Sequence, residues 1–257
     1  MQGTVQSIWR HPVKGFTPEP LNAAALTAGA HFPFDRLYAV EDGPSGFDPA
    51  APGYISKQKF AVLAKIPAVA KVRTRYDDKS GALEASFEGL PAIRAQLDQE
   101  DGRNAFAAWL TQALGDDING PLKVVPGPGA HRFTDDVQGF ISVLNLASVR
   151  DLSARIGAPV DPRRFRANFH VEGWAPWAEN DASGGRLTLG GAEARVVKPI
   201  TRCIATHVDP DSGERDIDLV RALYEIYGHR WCGVYAEVTL GGRVILGDRF
   251  GHSRRQP

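Results

Sequence analysis

Cysteine is scarce in this 257-residue chain: only Cys203 and Cys232 occur, beside a single methionine. Two thiols cannot build the disulfide framework on which small secreted domains rely, so the reducing cytoplasm is the expected compartment. Long apolar runs are missing as well. No stretch approaches the roughly eighteen apolar residues that would cross a bilayer, and the opening MQGTVQSIWRHPVKG has no secretory pattern of charge followed by an apolar core. Excess charge is absent too. Thirty Lys and Arg balance thirty Asp and Glu, so nothing global draws the chain to nucleic acid or to an anionic membrane. HExxH, paired CxxC, EF-hand, Walker, GxGxxG and GxSxG patterns do not occur, which removes sequence support for zinc, calcium, phosphate-loop nucleotides and the hydrolase elbow.

What is present is punctuation. The 27 glycines and 18 prolines break the chain into short runs rich in Val, Ile, Thr, Phe and Tyr, the pattern of strands and turns. Strands are predicted over 3–9, 36–41, 69–76, 82–88, 137–144, 186–198, 203–208, 233–240 and 243–246. Gly190-Gly191 and Gly241-Gly242 are each expected to close a hairpin. Three amphipathic helices are expected. The first covers 103–114; the second covers 146–156, capped by Asn145 and stopped by Gly157; the third covers 217–227, capped by Asp216 and stopped by Gly228. Their apolar stripes are core-facing surfaces and carry no chemistry. The break at GDDINGPL places a boundary near 118. The loops 42–53 and 126–136 are dense in turn formers, and loops of that length often edge functional sites. Asp135-Asp136 and Glu100-Asp101 read as solvated loop charges, and the end of the chain from 251 as a frayed tail.

Cys203 is the residue with the most to say. A lone cysteine is commonly a small buried hydrophobe, but this one lies between a strand-like stretch and the acidic turn Asp209-Pro210-Asp211-Ser212-Gly213. A thiolate is a soft, strongly donating ligand, able to anchor a metal whose other sulfur ligands arrive with a cofactor. Any cation nearby would favour that form. The densest basic spot, Arg163-Arg164-Phe165-Arg166, is too short for a nucleic-acid groove and suits a pocket for a small anion.

Four segments, KPITRCIATHVDPDSGE with CGVY at 232–235, IWRHPVKGF, FDRLYAVED and RRFRANFHVEG, resemble the MOSC family, named for the C-terminal domain of molybdenum cofactor sulfurases. The likeness is to the branch related to the amidoxime reducing component, and it covers nearly the whole chain. It implies a mixed, predominantly β fold: an N-terminal β-barrel-like domain over 1–118, a MOSC β-barrel core over 119–250 with a few peripheral helices, and the tail 251–257. It implies that Cys203 ligates molybdenum, and that Lys14, Arg36, Arg166, Asn168, Thr201, Arg202 and Tyr235 contact a pyranopterin cofactor.

The residues themselves leave some of these roles open. Lys14 can reach an anionic phosphate or sit solvated on the surface. Asn168 can orient a pterin edge or satisfy a turn. If 201–205 is extended, Arg202 and Cys203 point to opposite faces unless Pro199 bends the strand. Cys232 stands where the family has an aromatic and is read as a buried structural thiol, and Asp209 as a loop-shaping residue. Where the family has a pterin-contacting Ser or Thr, this chain has Gln138-Gly139-Phe140, so that contact passes to backbone or is lost.

The resemblance implies a molybdenum-cofactor-dependent oxidoreductase that reduces N-hydroxylated small molecules. Two cysteines cannot hold a four-cysteine iron–sulfur cluster, so a separate ferredoxin-, flavodoxin- or cytochrome-type donor is expected. No pyridoxal-phosphate domain occurs in these residues, so a complete cofactor sulfurase is not expected. Two alternatives remain: a sulfur carrier or cofactor-handling protein with a persulfide on Cys203, and a metal-free binding protein.

Overall fold

The computed structural model describes residues 2–137 and 140–253. These described residues form fifteen strands and three α-helices. In chain order the strands are β1 (Gln2–Arg10), β2 (Glu19–Leu21), β3 (Ala23–Leu26), β4 (Tyr38–Asp42), β5 (Arg73–Asp77), β6 (Ala82–Phe87), β7 (Leu90–Gln96) and β8 (Leu122–Pro126), then β9 (Ile141–Asn145), β10 (Phe169–Glu172), β11 (Arg186–Leu189), β12 (Ala192–Thr201), β13 (Trp231–Leu240), β14 (Gly242–Ile245) and β15 (Arg249–Ser253). The helices are α1 (Glu100–Leu114), α2 (Leu146–Ile156) and α3 (Leu219–Tyr227).

Seven strands close into a barrel. The order β10-β9-β13-β12-β11-β15-β1 returns to its start because β1 also pairs with β10, through Val5↔Val171 and Ile8↔Phe169. Closure leaves these strands without a free edge, which removes the row of unpaired backbone groups that invites aggregation. The barrel takes its first stave from the beginning of the chain and the other six from beyond residue 140, while β2 hangs on the outer side of β1. Its interior is apolar, with Val5, Ile8, Val143, Phe169, Leu187, Ala194, Val234 and Phe250 all within 1% of full burial.

β9 and β10 run parallel. Such a pair needs a crossover, and α2 with the 3₁₀ turn Pro162–Phe165 supplies it. The remaining N-terminal chain forms the three-stranded sheet β5-β6-β7 and the pair β4-β8, packed on α1 around Phe16, Leu83, Phe106 and Leu110. Among the described residues no helix is long and apolar enough to cross a membrane.

Local chemistry explains where elements start and stop. Asn145 caps α2 by accepting from the Ala147 N–H, and Gly157 ends it in the left-handed conformation. The Gly190-Gly191 turn joins β11 to β12 as expected.

Several expectations need correction. Gly241-Gly242 does not close a hairpin, since β14 pairs with β3. Instead a Cβ on Gly242 would lie 2.1 Å from the Gly191 carbonyl oxygen, so close backbone approach is what the glycine permits. Residues 203–208 are not a strand: the Thr206 N–H and hydroxyl both donate to the Cys203 carbonyl, at 3.0 and 2.9 Å, and wind 204–207 into a 3₁₀ turn. The cap of α3 is Asp218, which accepts from the Arg221 N–H. Asp216 is engaged elsewhere, accepting from both Arg164 terminal nitrogens at 2.7 and 2.6 Å. Residues 67–71 form a 3₁₀ turn begun by Pro67, so β5 starts later than expected. Residues 251–253 are not frayed, because Gly251 and Ser253 hold ladder positions against β1 and β11, and the rest of the expected tail, 254–257, lies outside the described residues. The Gln138-Gly139 substitution lies outside the described residues.

Candidate functional site

A cleft of about 340 Å³ opens between the barrel and the N-terminal sheets. All eight residues singled out from the sequence line it. They arrive from five places in the chain: Lys14 from the turn after β1, Arg36 from the turn before β4, Arg166 and Asn168 from the approach to β10, Thr201, Arg202 and Cys203 from the end of β12, and Tyr235 from β13.

β12 brings its two key residues to one side by being irregular. Its pairing with β13 slips between Pro199 and Thr201, and the strand ends at Thr201. Arg202 and Cys203 therefore do not alternate as on a regular strand, and both reach the cleft. Cys203 is partly exposed. Its Sγ accepts from Lys57 Nζ at 3.2 Å, and the same ammonium donates to Asp135 Oδ2 at 3.1 Å. Burial works against the charge on Lys57, but Asp135 and the Cys203 sulfur outweigh it and raise its pKa.

Lys14 is buried rather than solvated. Its ammonium donates to the Phe133 carbonyl at 3.0 Å and pairs with Asp135. Burial pushes its pKa down, with Asp135 pulling the other way. Asp135 is held well below the usual carboxylate range; the desolvation opposing this is outweighed by Lys14 and Lys57. Asp136 pairs with Lys198 at 2.6 Å. The two aspartates expected to be solvated loop charges are thus the acidic members of the cleft's ion pairs.

Arg36 and Arg166 are two of the four non-glycine residues with positive φ among the described residues, at 50° and 52°. Such conformations cost about 1–3 kcal/mol and persist where surrounding contacts enforce them. The Arg36 N–H donates to the His11 carbonyl at 2.6 Å, and the Arg166 N–H to the Arg163 carbonyl at 3.0 Å. The Arg36 side chain pairs with buried Asp35 and donates to the Arg166 carbonyl. Arg166 Nη1 donates to the Phe16 carbonyl, whereas its buried Nη2 has no partner among the described residues. Burial, reinforced by Arg36, lowers the Arg166 pKa to about 9.

Arg202 is buried over the Phe165 ring and donates only to carbonyl oxygens, those of Phe165 and Cys232. Among the described residues its charge has no carboxylate partner, and burial lowers its pKa. Asn168 has a structural role. Its Oδ1 accepts from the Ser142 N–H and hydroxyl, and its Nδ2 donates to the Trp9 carbonyl, joining β9 and β1 to the start of β10. Cys232 is fully buried among Leu144, Leu152 and Leu223, and burial pushes its thiol pKa up. Asp209 lies outside the cleft lining, accepting from the Asp211 and Ser212 N–H groups and from Arg164. The basic run 163–166 is therefore divided: Arg163 and Arg164 are tied to aspartates, although Arg164 Nε is buried without a partner, whereas Arg166 bonds a carbonyl oxygen and keeps its Nη2 vacant among the described residues.

Seven basic and two acidic side chains line the cleft, in a chain with no net charge. Low-dielectric walls lined by one sign of charge focus potential, so the cleft is built for an anion. Among the described residues no three His, Cys, Asp or Glu side chains converge to hold a metal. A metal here would take Cys203 from the protein and its other ligands from its own cofactor. Sequence reasoning missed Lys57 and Ser142. Neither belongs to a recognised motif, and Lys57 lies 146 residues from the sulfur it contacts.

Residues 128–250 match the MOSC domain, and residues 2–120 match the MOSC N-terminal beta barrel domain. The chain is 38% identical to the human mitochondrial amidoxime-reducing component 1, over 96% of its own length and 78% of that protein. It is 32% identical to the mouse mitochondrial amidoxime-reducing component 1 over 42% of its length, and 38% identical to the molybdenum cofactor sulfurase of Caenorhabditis briggsae over 45%. Those two matches span only 31% and 16% of the respective relatives. This chain belongs to the MOSC-domain family and carries the family's N-terminal barrel module.

Proposed function

We propose that this protein is a molybdenum-cofactor-dependent oxidoreductase that reduces N-hydroxylated, amidoxime-type small molecules. The observation that carries the reading is a single accessible thiol, Cys203, at the wall of a cleft whose basic groups outnumber its acids and include a buried donor without a partner. Those residues fit a pyranopterin cofactor. Cys203 would hold the metal as thiolate. Arg166, Arg36 and Lys14 would hold the anionic phosphate and ring edge, with Arg202 adding positive charge. Thr201 and Tyr235 would border the ring. Asn168 would act indirectly, by fixing the strand end from which Arg166 projects.

When bound, the molybdenum–pyranopterin group supplies a two-electron redox couple. Converting N–OH to N–H consumes two electrons and two protons and releases water. The protein's part is to neutralise the cofactor's charge in a site where unpaired anions are costly, to keep the sulfur oriented through the 3₁₀ turn behind it, and to leave the mouth open to substrate. Electrons would come from a donor outside these residues, whose two cysteines cannot hold a four-cysteine cluster. Cytoplasmic residence belongs to this reading, although the amidoxime-reducing relatives are named mitochondrial.

The partial match to a molybdenum cofactor sulfurase favours a second reading, in which Cys203 carries a persulfide or receives cofactor in transit. One experiment separates the two. Protein from a host that makes the cofactor should reduce benzamidoxime with an artificial electron donor. Labile sulfane sulfur on Cys203 with no turnover would instead indicate the carrier.

A further inference from the structure

Lys57 reaches the cleft from the 3₁₀ turn Lys57–Lys59, far from every segment that marks the site in sequence. Ser56 caps that turn and Phe60, almost fully buried, pins its end. The ammonium is held by two acceptors at once, Asp135 Oδ2 at 3.1 Å and Cys203 Sγ at 3.2 Å. Asp135 is held in turn by Lys14. A lysine at a cleft mouth would ordinarily extend into water. Here the carboxylate draws it onto the sulfur, and the side chain is only 27% exposed.

A positive hydrogen-bond donor at a ligand sulfur withdraws electron density from the metal–sulfur bond and stabilises the electron-richer state of the centre. We infer that Lys57, aimed by Asp135, is a positioning residue that hydrogen-bonds the ligating sulfur of Cys203 and raises the reduction potential of the bound metal. The inference rests on the reading of Cys203 as the metal ligand. It gives the Lys14–Asp135–Lys57 chain a purpose: to fix one positive charge at the sulfur so that a separate donor can charge the centre.

The test compares wild type, Lys57→Met and Lys57→Arg, each isolated with cofactor. Lys57→Met should retain molybdenum but have a lower midpoint potential. At the wild-type midpoint its oxidised-to-reduced ratio should rise roughly tenfold, while Lys57→Arg stays close to wild type. Cofactor-free protein gives a second readout. The ratio of Cys203 alkylation rates by iodoacetate and by iodoacetamide cancels the thiolate fraction, and it should fall roughly threefold in Lys57→Met as the local charge is lost. Buried Cys232 should not contribute. An unchanged potential in molybdenum-replete Lys57→Met overturns this inference alone. Molybdenum missing from wild type overturns the ligand reading and the inference with it. If Lys57→Met loads poorly, the alkylation ratio decides: a fall supports the contact, and no change overturns it.

Discussion

Arg166 Nη1 donates to the carbonyl oxygen of Phe16 at 2.6 Å, across 150 residues of sequence. The bond joins the turn that carries Lys14 to the segment that carries Asn168, and Nη2 of the same guanidinium has no partner among the described residues. One side chain thus closes the cleft and offers it a donor.

Arg166→Met should therefore lose cofactor more than fold. A hydrogen bond to a charged group contributes about 1.5–3 kcal/mol, so affinity for the anionic cofactor should fall roughly ten- to a hundredfold. Pterin retained after gel filtration, beside an unfolding curve, checks both halves of the expectation.

Gly233 has φ +75°, and a Cβ there would lie 2.7 Å from the Val143 carbonyl oxygen and 3.2 Å from Arg202 Nη2. Gly233→Ala should destabilise the protein by about 1–3 kcal/mol through backbone strain and push Arg202 out of its carbonyl cradle. A Tm lowered by several degrees, with weaker cofactor retention, is the expected result.

Acid should act through His11. Burial, then the neighbouring Arg166 and Arg36, lower its pKa from 6.5 to about 3. As pH falls below 6.5 the unfolded chain gains this proton and the folded one does not, so stability is lost on the way down to about pH 3. His11→Gln removes this dependence. Chemical denaturation at a series of pH values should show the wild-type stability falling more steeply than the variant's, by up to about 1.4 kcal/mol per pH unit in that window.

Asp209 is a loop builder in this geometry. Asp209→Asn keeps an oxygen for the Asp211 and Ser212 N–H groups, so benzamidoxime turnover should stay within about threefold of wild type, with a modest loss of stability at the Arg164 contact. A collapse of turnover with the fold intact would make Asp209 a proton donor instead.

The residues around Cys203 were legible because contiguous motifs carry them, and those motifs fall at strand ends and turns where side chains must converge. Helix α2 was legible to the residue, since its cap and stop are local chemistry. Barrel closure was not, because the pairing of β1 with β10 joins residues more than 160 apart and leaves no local trace. The Cys203–His207 turn was hidden for a different reason. Ile204, Thr206 and Val208 alternate as a strand would, yet the Thr206 N–H and hydroxyl both bond the Cys203 carbonyl and hold the turn instead. Asp135 and Lys57 were unreadable individually; their role exists only once Lys14 and Cys203 are beside them.

Metal content reports most directly on the central claim. Wild type and Cys203→Ala, expressed in the same cofactor-producing host and purified identically, should differ, with close to one molybdenum per wild-type chain and almost none in the variant, both remaining folded. Equal molybdenum in the two proteins would contradict the account.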